Sequence, residues 1–435
     1  MKNEESTRPD PAAPPDIAIP YWLKPLYPPP MRFHFLHAAD LHIDSPLASL
    51  GAKDAGVAAA FARANRAAVE ALVKEAIDSG AKFVVISGDV FDGDWKDAAT
   101  GLFFARRLGE LHRAGIPTFL IKGNHDADSV MSRSLILPES AQTFASSRAE
   151  TKVIESLRVA LHGRSFGTRG VPDDFLASYP GGREGWLNIG LLHTGLDGAR
   201  GHESYAPCTV EELRRFGYDY WALGHIHAAE IVARDPWIVY PGNIQGRSPR
   251  ETGVKGVMRV TVDDGRVVAV EPVPLDFARW AHEEVDVSGC VDEADILPLI
   301  RAALARAQAA AGDKPLAIRL TLIGETPAHA SLVAHSETLQ DEARAMGFQV
   351  SGECWVERLK IATRAPPRVA LAGADALDIE ALVAAAADDP EFASVIAEIK
   401  TSVADKLPRE LRERAFADKD AIAALARDLL AGTRA

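Results

Sequence analysis

Short runs rich in β-branched and aromatic residues recur along this chain, and helical spacing fills the stretches between them, which restricts the fold more than any other feature of the sequence. The runs lie at 33–37, 83–87 (Phe-Val-Val-Ile-Ser), 118–121 (Thr-Phe-Leu-Ile), 189–192 and 220–223, whereas 57–78 and 98–114 carry apolar residues at helical intervals. Strands that alternate with helices predict a layered α/β fold with helices packed on the sheets. From 236 to 275 the pattern changes to short strands with glycine turns, such as Asp263-Asp264-Gly265, as hairpins closing a sheet require. A second α/β unit is expected from about 280: a strand at 282–287, a helix at 293–311, a strand at 316–323, a helix near 336–346 and a strand at 348–357.

The organisation that follows has four parts. Residues 1–30 are proline-rich, end in Tyr27-Pro28-Pro29-Pro30 and read as a disordered extension, with Met31 as a natural start. Residues 31–279 form the main domain, 280–365 a small α/β domain, and 366–435 a helical C-terminal region with segments at 376–387, 391–404 and 419–431. At 435 residues and 47% hydrophobic composition, the chain can bury cores for two or three domains. No run approaches the ~18 apolar residues of a membrane span, and the amino terminus lacks a signal-peptide pattern. Cys208, Cys290 and Cys354 are scattered without CxxC spacing, so a cytoplasmic, reducing location is expected. The net charge of −13 argues against a broad basic surface for nucleic acid. It leaves room for local phosphate contacts at Arg106-Arg107, Arg214-Arg215 or Arg247/Arg250, and bound cations would offset clustered carboxylates.

The chemistry-bearing residues fall just after predicted strands, where side chains from neighbouring strands converge. Asp40-Leu41-His42 offers a carboxylate and an imidazole two residues apart, which in an extended segment would point the same way. Gly88-Asp89 places a carboxylate at a strand tip, with two oxygens able to bridge two cations. Lys122-Gly123-Asn124-His125-Asp126 puts a hard amide oxygen beside a histidine. His193 ends an apolar strand, and Gly224-His225-Ile226-His227 supplies a histidine pair at metal-ligand spacing. Each motif alone has an ordinary packing explanation; all five in order at strand ends point to a metal centre. His34, His112, His162 and His282 are expected in structural or surface roles, and His37 and His202 stay undecided.

Taken together, these motifs resemble those of the calcineurin-like metallophosphoesterases, with D-x-H, GD, GNHD, H and GHxH all present. Longer strings narrow the resemblance to DNA-repair exonucleases of the SbcD type, and within them to a YhaO-like branch. They are Gly88-Asp89-Val90-Phe91-Asp92, Leu192–Gly198, Tyr218–His227 and Tyr240–Arg247, and the similarity spans about 31–365. The resemblance implies a β-sandwich flanked by helices, capped by the small α/β domain at 280–365. It implies that Asp40, His42, Asp89 and His227 hold one ion, most commonly manganese, and that Asp89, Asn124, His193 and His225 hold the other. His125 would stabilise the phosphoryl group or protonate the leaving oxygen, with Asp126 orienting it. The implied partners are DNA, an SMC-like coiled-coil ATPase and a second copy in a homodimer, with no membrane association. Two other readings stay open: a phosphoesterase for nucleotides, small esters or phosphoproteins, which the acidic charge favours, and a non-catalytic scaffold, which would be expected to have lost a ligand or His125.

Overall fold

The computed structural model describes residues 32–45, 55–92, 98–127, 135–168, 170, 175–196 and 206–366. The expected extension at 1–30 and the C-terminal helical segments lie outside the described residues.

Two six-stranded sheets form a sandwich. The first contains β1 (Arg32–Ala38), β2 (Val84–Ser87), β3 (Thr118–Ile121), β4 (Ala141–Thr143), β11 (Gly256–Asp263) and β12 (Arg266–Pro274), in the order β12-β11-β1-β2-β3-β4. The β1–β4 neighbours are parallel, and the β11–β12 hairpin, turning at Asp264-Gly265, pairs antiparallel onto β1. The second sheet contains β5 (Glu150–Ile154), β6 (Val159–Gly163), β7 (Leu187–His193), β8 (Tyr220–Gly224), β9 (Glu230–Arg234) and β10 (Trp237–Tyr240), in the order β5-β6-β7-β8-β10-β9.

Alternation along β2 explains how the layers stack. Phe83 and Val85 face the second sheet, where they pack with Phe35, Phe119, Leu161, Ile189, Leu191 and Tyr220. Val84 and Ile86 face outward against α1 (Ala55–Ser79) and α2 (Ala98–Arg113), meeting Val69, Leu72, Phe104 and Leu108. A strand covered on both faces must be apolar at every position, so these runs are continuous rather than alternating in sequence. The outer face of the second sheet packs Trp221, Leu223 and Ile238 against Tyr179, Tyr218 and Leu213, the last from α4 (Val210–Arg214). The one-turn helix α3 (Asn124–Ala127) follows β3 directly at the edge of the sandwich.

The remaining elements form a separate three-stranded parallel sheet, β13 (Arg279–Asp286), β14 (Leu316–Glu325) and β15 (Cys354–Arg364), with α5 (Glu293–Ala311), α6 (His329–Ala334) and α7 (Ser336–Val350). The helices share a core with the inward side of this sheet, through Ile296, Ile300, Leu304, Leu339 and Met346. The opposite side presents Trp280, Ala317 and Trp355 to Phe61 of α1, which seats the small domain on the sandwich. Truncating the buried Trp280 to alanine would cost about 3–5 kcal/mol.

The structure differs from the sequence reading in several elements. The apolar Phe348-Gln349-Val350 expected to open a strand is the last turn of α7, with Phe348 exposed; β15 begins only at Cys354 and runs to Arg364. Helical spacing of the buried Leu339, Ala343 and Met346 carries the helix through that stretch. The strands β4, β5 and β6 were also not anticipated. β5 alternates half-buried and exposed residues and lacks a strong apolar signature. Among the described residues no helix is long and apolar enough to cross a membrane.

Candidate metal centre and active site

All five motifs meet at one end of the sandwich. β1 ends at Ala38, and the chain beyond it runs beside the segment leaving β2: the amides of Asp40, His42 and Ile43 donate to the carbonyls of Gly88, Asp89 and Val90 at 3.0, 3.0 and 2.9 Å. The segment is not extended, as the D-x-H spacing suggested. Asp40 and His42 adopt left-handed backbone conformations with φ of +52° and +41°, and Asp89 (+49°) and His225 (+93°) do the same. Non-glycine residues held in this region store roughly 1–3 kcal/mol each and concentrate at functional sites.

Two donor groups result. Asp40, His42 and His227 form one, and Asp89, His193 and His225 the other, each with its ligand atoms within 4.8 Å of one another. His225 and His227 therefore serve different groups rather than sharing an ion as a pair. Asn124 joins the second group through its Oδ1, 3.0 Å from His193 Nε2. Asp89 lies between the two: its Oδ2 is 3.2 Å from His193 Nε2 and 3.9 Å from His42 Nε2. The backbone amide of His225 donates to both oxygens of Asp40, at 3.1 and 3.0 Å, which ties the groups together from the other side.

The donor set fits divalent cations. His193 presents Nδ1 to the Ser87 carbonyl at 2.9 Å and Nε2 to two oxygens, of Asn124 and Asp89; with its one proton on Nδ1, a neutral His193 would turn an Nε2 lone pair toward the same point as those oxygens, where a cation would replace the Nε2 proton. His42 Nε2 and His227 Nε2 face each other at 3.2 Å, close to the ~3 Å edge between adjacent ligands on a cation about 2.1 Å from each. His42 Nδ1 is buried with no hydrogen-bond partner. Close approach is secured by glycine: a Cβ on Gly123 would sit 2.2 Å from Asp89 Oδ1, and one on Gly224 would sit 2.0 Å from the Ser87 carbonyl oxygen.

The electrostatics agree. Burial raises Asp40 to about 6 despite the nearby histidines. Burial alone would depress His193, but the Asp89 carboxylate outweighs it and holds the imidazole at about 9, so without a cation this pair carries opposite charges. Asp89 is in turn held below the ordinary carboxylate range: its burial is outweighed by His193. His42 is driven well below its usual value by burial and by the positive Arg247.

His125 lies at the mouth of the site, with its side chain 35% exposed, and its Nδ1 is 2.7 Å from Asp92 Oδ1. The hydrogen bond to Asp92 raises the imidazole pKa. Asp92 is thus the carboxylate that orients His125, which corrects the expected role of Asp126. The Asp126 carboxylate turns away, accepting the backbone amides of Gly123, Val90 and Phe91 at 3.1, 3.1 and 2.8 Å, and so braces the two loops.

The sequence reading missed more than Asp92. Glu251 Oε1 is 2.8 Å from His227 Nδ1, and Arg247, read from sequence as a candidate phosphate contact and the end of the Tyr240–Arg247 string, reaches both Glu251 and Asp92, at 3.3 and 3.5 Å. Asp92 had a signal, since it closes the Gly88–Asp92 string; Glu251 had none, because it lies in a segment without periodicity. Of the undecided histidines, His37 is a core residue bonded to the Tyr220 hydroxyl at 2.9 Å and the Leu223 carbonyl at 3.1 Å. Burial lowers it to about 3, so it is neutral. His202 lies outside the described residues. His34, His162 and His282 bond Ser79, Asn188 and Thr321 respectively, away from the donor groups.

Residues 33–229 match the calcineurin-like phosphoesterase family, and residues 280–364 match the middle domain of metallophosphoesterase YhaO. The chain belongs to the calcineurin-like metallophosphoesterases, which are metal-dependent hydrolases of phosphoesters. Among individual proteins it is similar to the uncharacterized metallophosphoesterase YhaO of Bacillus subtilis, 31% identical over 302 residues that cover 67% of this chain and 72% of that protein. It is also similar to the DNA double-strand break repair protein Mre11 of Methanopyrus kandleri, 26% identical over 285 residues covering 58% of this chain and 59% of that protein.

Proposed function

We propose that the protein is a DNA phosphodiesterase of exonuclease type that uses two divalent cations, and that it acts in DNA repair with an SMC-like coiled-coil ATPase. The observation that carries the reading is the position of Asp89 between two donor groups, with Asp92 and His125 beside them. The similarity to a protein named for double-strand break repair supports DNA as the substrate. Asp40, His42, Asp89 and His227 would hold one cation and Asp89, Asn124, His193 and His225 the other, and the bound ions would supply Lewis-acid neutralisation of the phosphate charge and acidification of water. The mixture of imidazoles with hard oxygens suits Mn²⁺ better than an all-oxygen Mg²⁺ site.

The chain's own residues then do three things. Asp92 holds the His125 ring at Nδ1 and raises its affinity for a proton, so that His125 serves as the donor to the leaving oxygen. Asp126 fixes the loops that carry Asp89 and Asn124. Arg247 adds a positive charge at the rim of a protein whose net charge is −13. That acidic balance favours a second reading, an esterase for nucleotides or small phosphoesters. End-labelled linear duplex and single strands, incubated with Mn²⁺ and the full-length chain, should be shortened. Hydrolysis of nitrophenyl phosphoesters with DNA left intact would replace the nuclease with the small-ester enzyme.

A further inference from the structure

We infer that Glu251 and Arg247 are positioning residues: Glu251 fixes the tautomer in which His227 presents its Nε2 lone pair to the Asp40–His42 group, and Arg247 ties Glu251 to Asp92. The inference rests on the metal-dependent reading above.

The segment between β10 and β11 grips His227 at both ends. Glu251 Oε1 takes its ring at Nδ1, 2.8 Å away, while Lys255 Nζ donates to its backbone carbonyl at 2.8 Å and the Asn243 amide does so at 3.3 Å. An ionised carboxylate only accepts, so the single proton of a neutral His227 sits on Nδ1 and Nε2 is left with its lone pair facing His42 and Asp40. Arg247 lies between two carboxylates that each hold a histidine, Asp92 with His125 and Glu251 with His227, and it also donates to Ser45 Oγ at 3.2 Å. The back of the same segment rests on the small domain and its approach. Gln245 Nε2 donates to the Ala278 carbonyl at 2.6 Å, and Trp280 Nε1 donates to the Gly246 carbonyl at 3.2 Å.

Replacing Glu251 with glutamine separates charge and tautomer from shape. The Oε2 position receives two donors, the Arg247 amide at 2.7 Å and Asn243 Nδ2 at 2.8 Å, and the Gln245 carbonyl, 2.8 Å from the same Asn243 Nδ2, fixes the orientation of that amide. Two short donors at Oε2 against the single, longer Arg247 Nη2 contact at Oε1, 3.3 Å, place the glutamine oxygen at the Oε2 position, which turns its NH₂ toward His227 Nδ1. His227 then accepts at Nδ1 and carries its proton on Nε2, where it cannot ligate.

The test is calorimetric titration of Mn²⁺ into EDTA-stripped full-length chain. The wild type should bind two ions. Glu251→Gln should weaken one by about 10–100-fold and leave the other unchanged. It should add no further loss in a His227→Ala background, because both changes act on one ligand. Arg247→Ala, which removes the tie and with it the 3.4 Å approach of its Nη2 to His227 Nδ1 but leaves the shorter Glu251 contact, should weaken the same ion several-fold. Two ions bound by Glu251→Gln with wild-type affinities would overturn the inference while leaving the metal reading intact. Wild-type affinities in Arg247→Ala would overturn the part assigned to Arg247, and if Glu251→Gln does not fold, Glu251→Asp, whose shorter carboxylate draws back from His227, takes its place: wild-type affinities there would overturn the part assigned to Glu251. A wild-type chain that takes up no Mn²⁺ would overturn both.

Discussion

Asp92 can act in either of two ways, and Asp92→Asn separates them. It lies within reach of His42 and His125 in a third group of candidate ligand atoms, so it could hold metal; it also sits 2.7 Å from His125 Nδ1, so it could hold the acid. Asparagine keeps the acceptor oxygen and removes the charge. Hydrogen bonds to charged groups contribute about 1.5–3 kcal/mol, and with side chains 35% and 21% exposed, water screening favours the lower end, about 1.5–2 kcal/mol. That predicts a fall in kcat/KM of roughly 10–30-fold. His125→Ala, which removes the donor itself, should cost about 10²–10⁴-fold. Both variants should retain the wild-type manganese content by elemental analysis. The pH profile supplies an independent sign: the bond to Asp92 raises the His125 pKa, so a rate that needs its proton falls as pH climbs past that value. In Asp92→Asn this fall should begin at lower pH. Loss of manganese from Asp92→Asn, or a slower enzyme than His125→Ala, would refute the assignment of Asp92 to the acid.

Asp89→Ala removes the carboxylate that touches both donor groups and should abolish both metal uptake and hydrolysis, measured on the same preparation. Stripped protein should recover more phosphodiesterase rate with Mn²⁺ than with Mg²⁺, and equal recovery with Ca²⁺ would count against the mixed imidazole–oxygen site. Gly224→Ala would push a methyl group to 2.0 Å from the Ser87 carbonyl oxygen and 2.9 Å from His193 Nδ1. The resulting overpacking should lower stability by about 1–3 kcal/mol in denaturant titration and reduce metal affinity.

The sandwich was legible in the sequence because strands buried on both faces leave short, continuous apolar runs, such as Phe83–Ser87 and Tyr220–Gly224, separated by stretches of helical spacing. The edge strand β5 and the late start of β15 were not, since an edge strand is half wet and Phe348-Gln349-Val350 reads equally well as strand or helix end. At the site, the residues that close predicted strands were easy to pick out because strand ends bring them together. The residues that orient them were not. Asp92, Arg247 and Glu251 sit in irregular segments, and their meaning comes from contacts between residues far apart in sequence, 155 positions for Arg247 and Asp92 and 202 for Arg247 and Ser45. Asp126 misled because adjacency to His125 in sequence suggested contact, whereas the one-turn helix α3 sends the two side chains to different neighbours.

The spacing of Asp40-Leu41-His42 has a different physical origin from the one that its sequence suggests. In a strand, residues two apart share a face because the pleat alternates; here Asp40 and His42 share the cleft because both are left-handed, while Leu41 between them is 1% exposed and packs into the core under α1. Glycine would adopt these angles without strain, but glycine has no donor to offer, so the chain keeps aspartate and histidine in conformations that disfavour them. The strain is held in place by backbone pairing with the Gly88–Val90 segment on one side and by buried Leu41 on the other. Asp89, on the partner segment, is left-handed as well, so the two loops that carry three of the donors brace each other in conformations that neither is suited to adopt alone. Positive φ at successive donors is therefore a structural mark of this centre that the motif letters do not display.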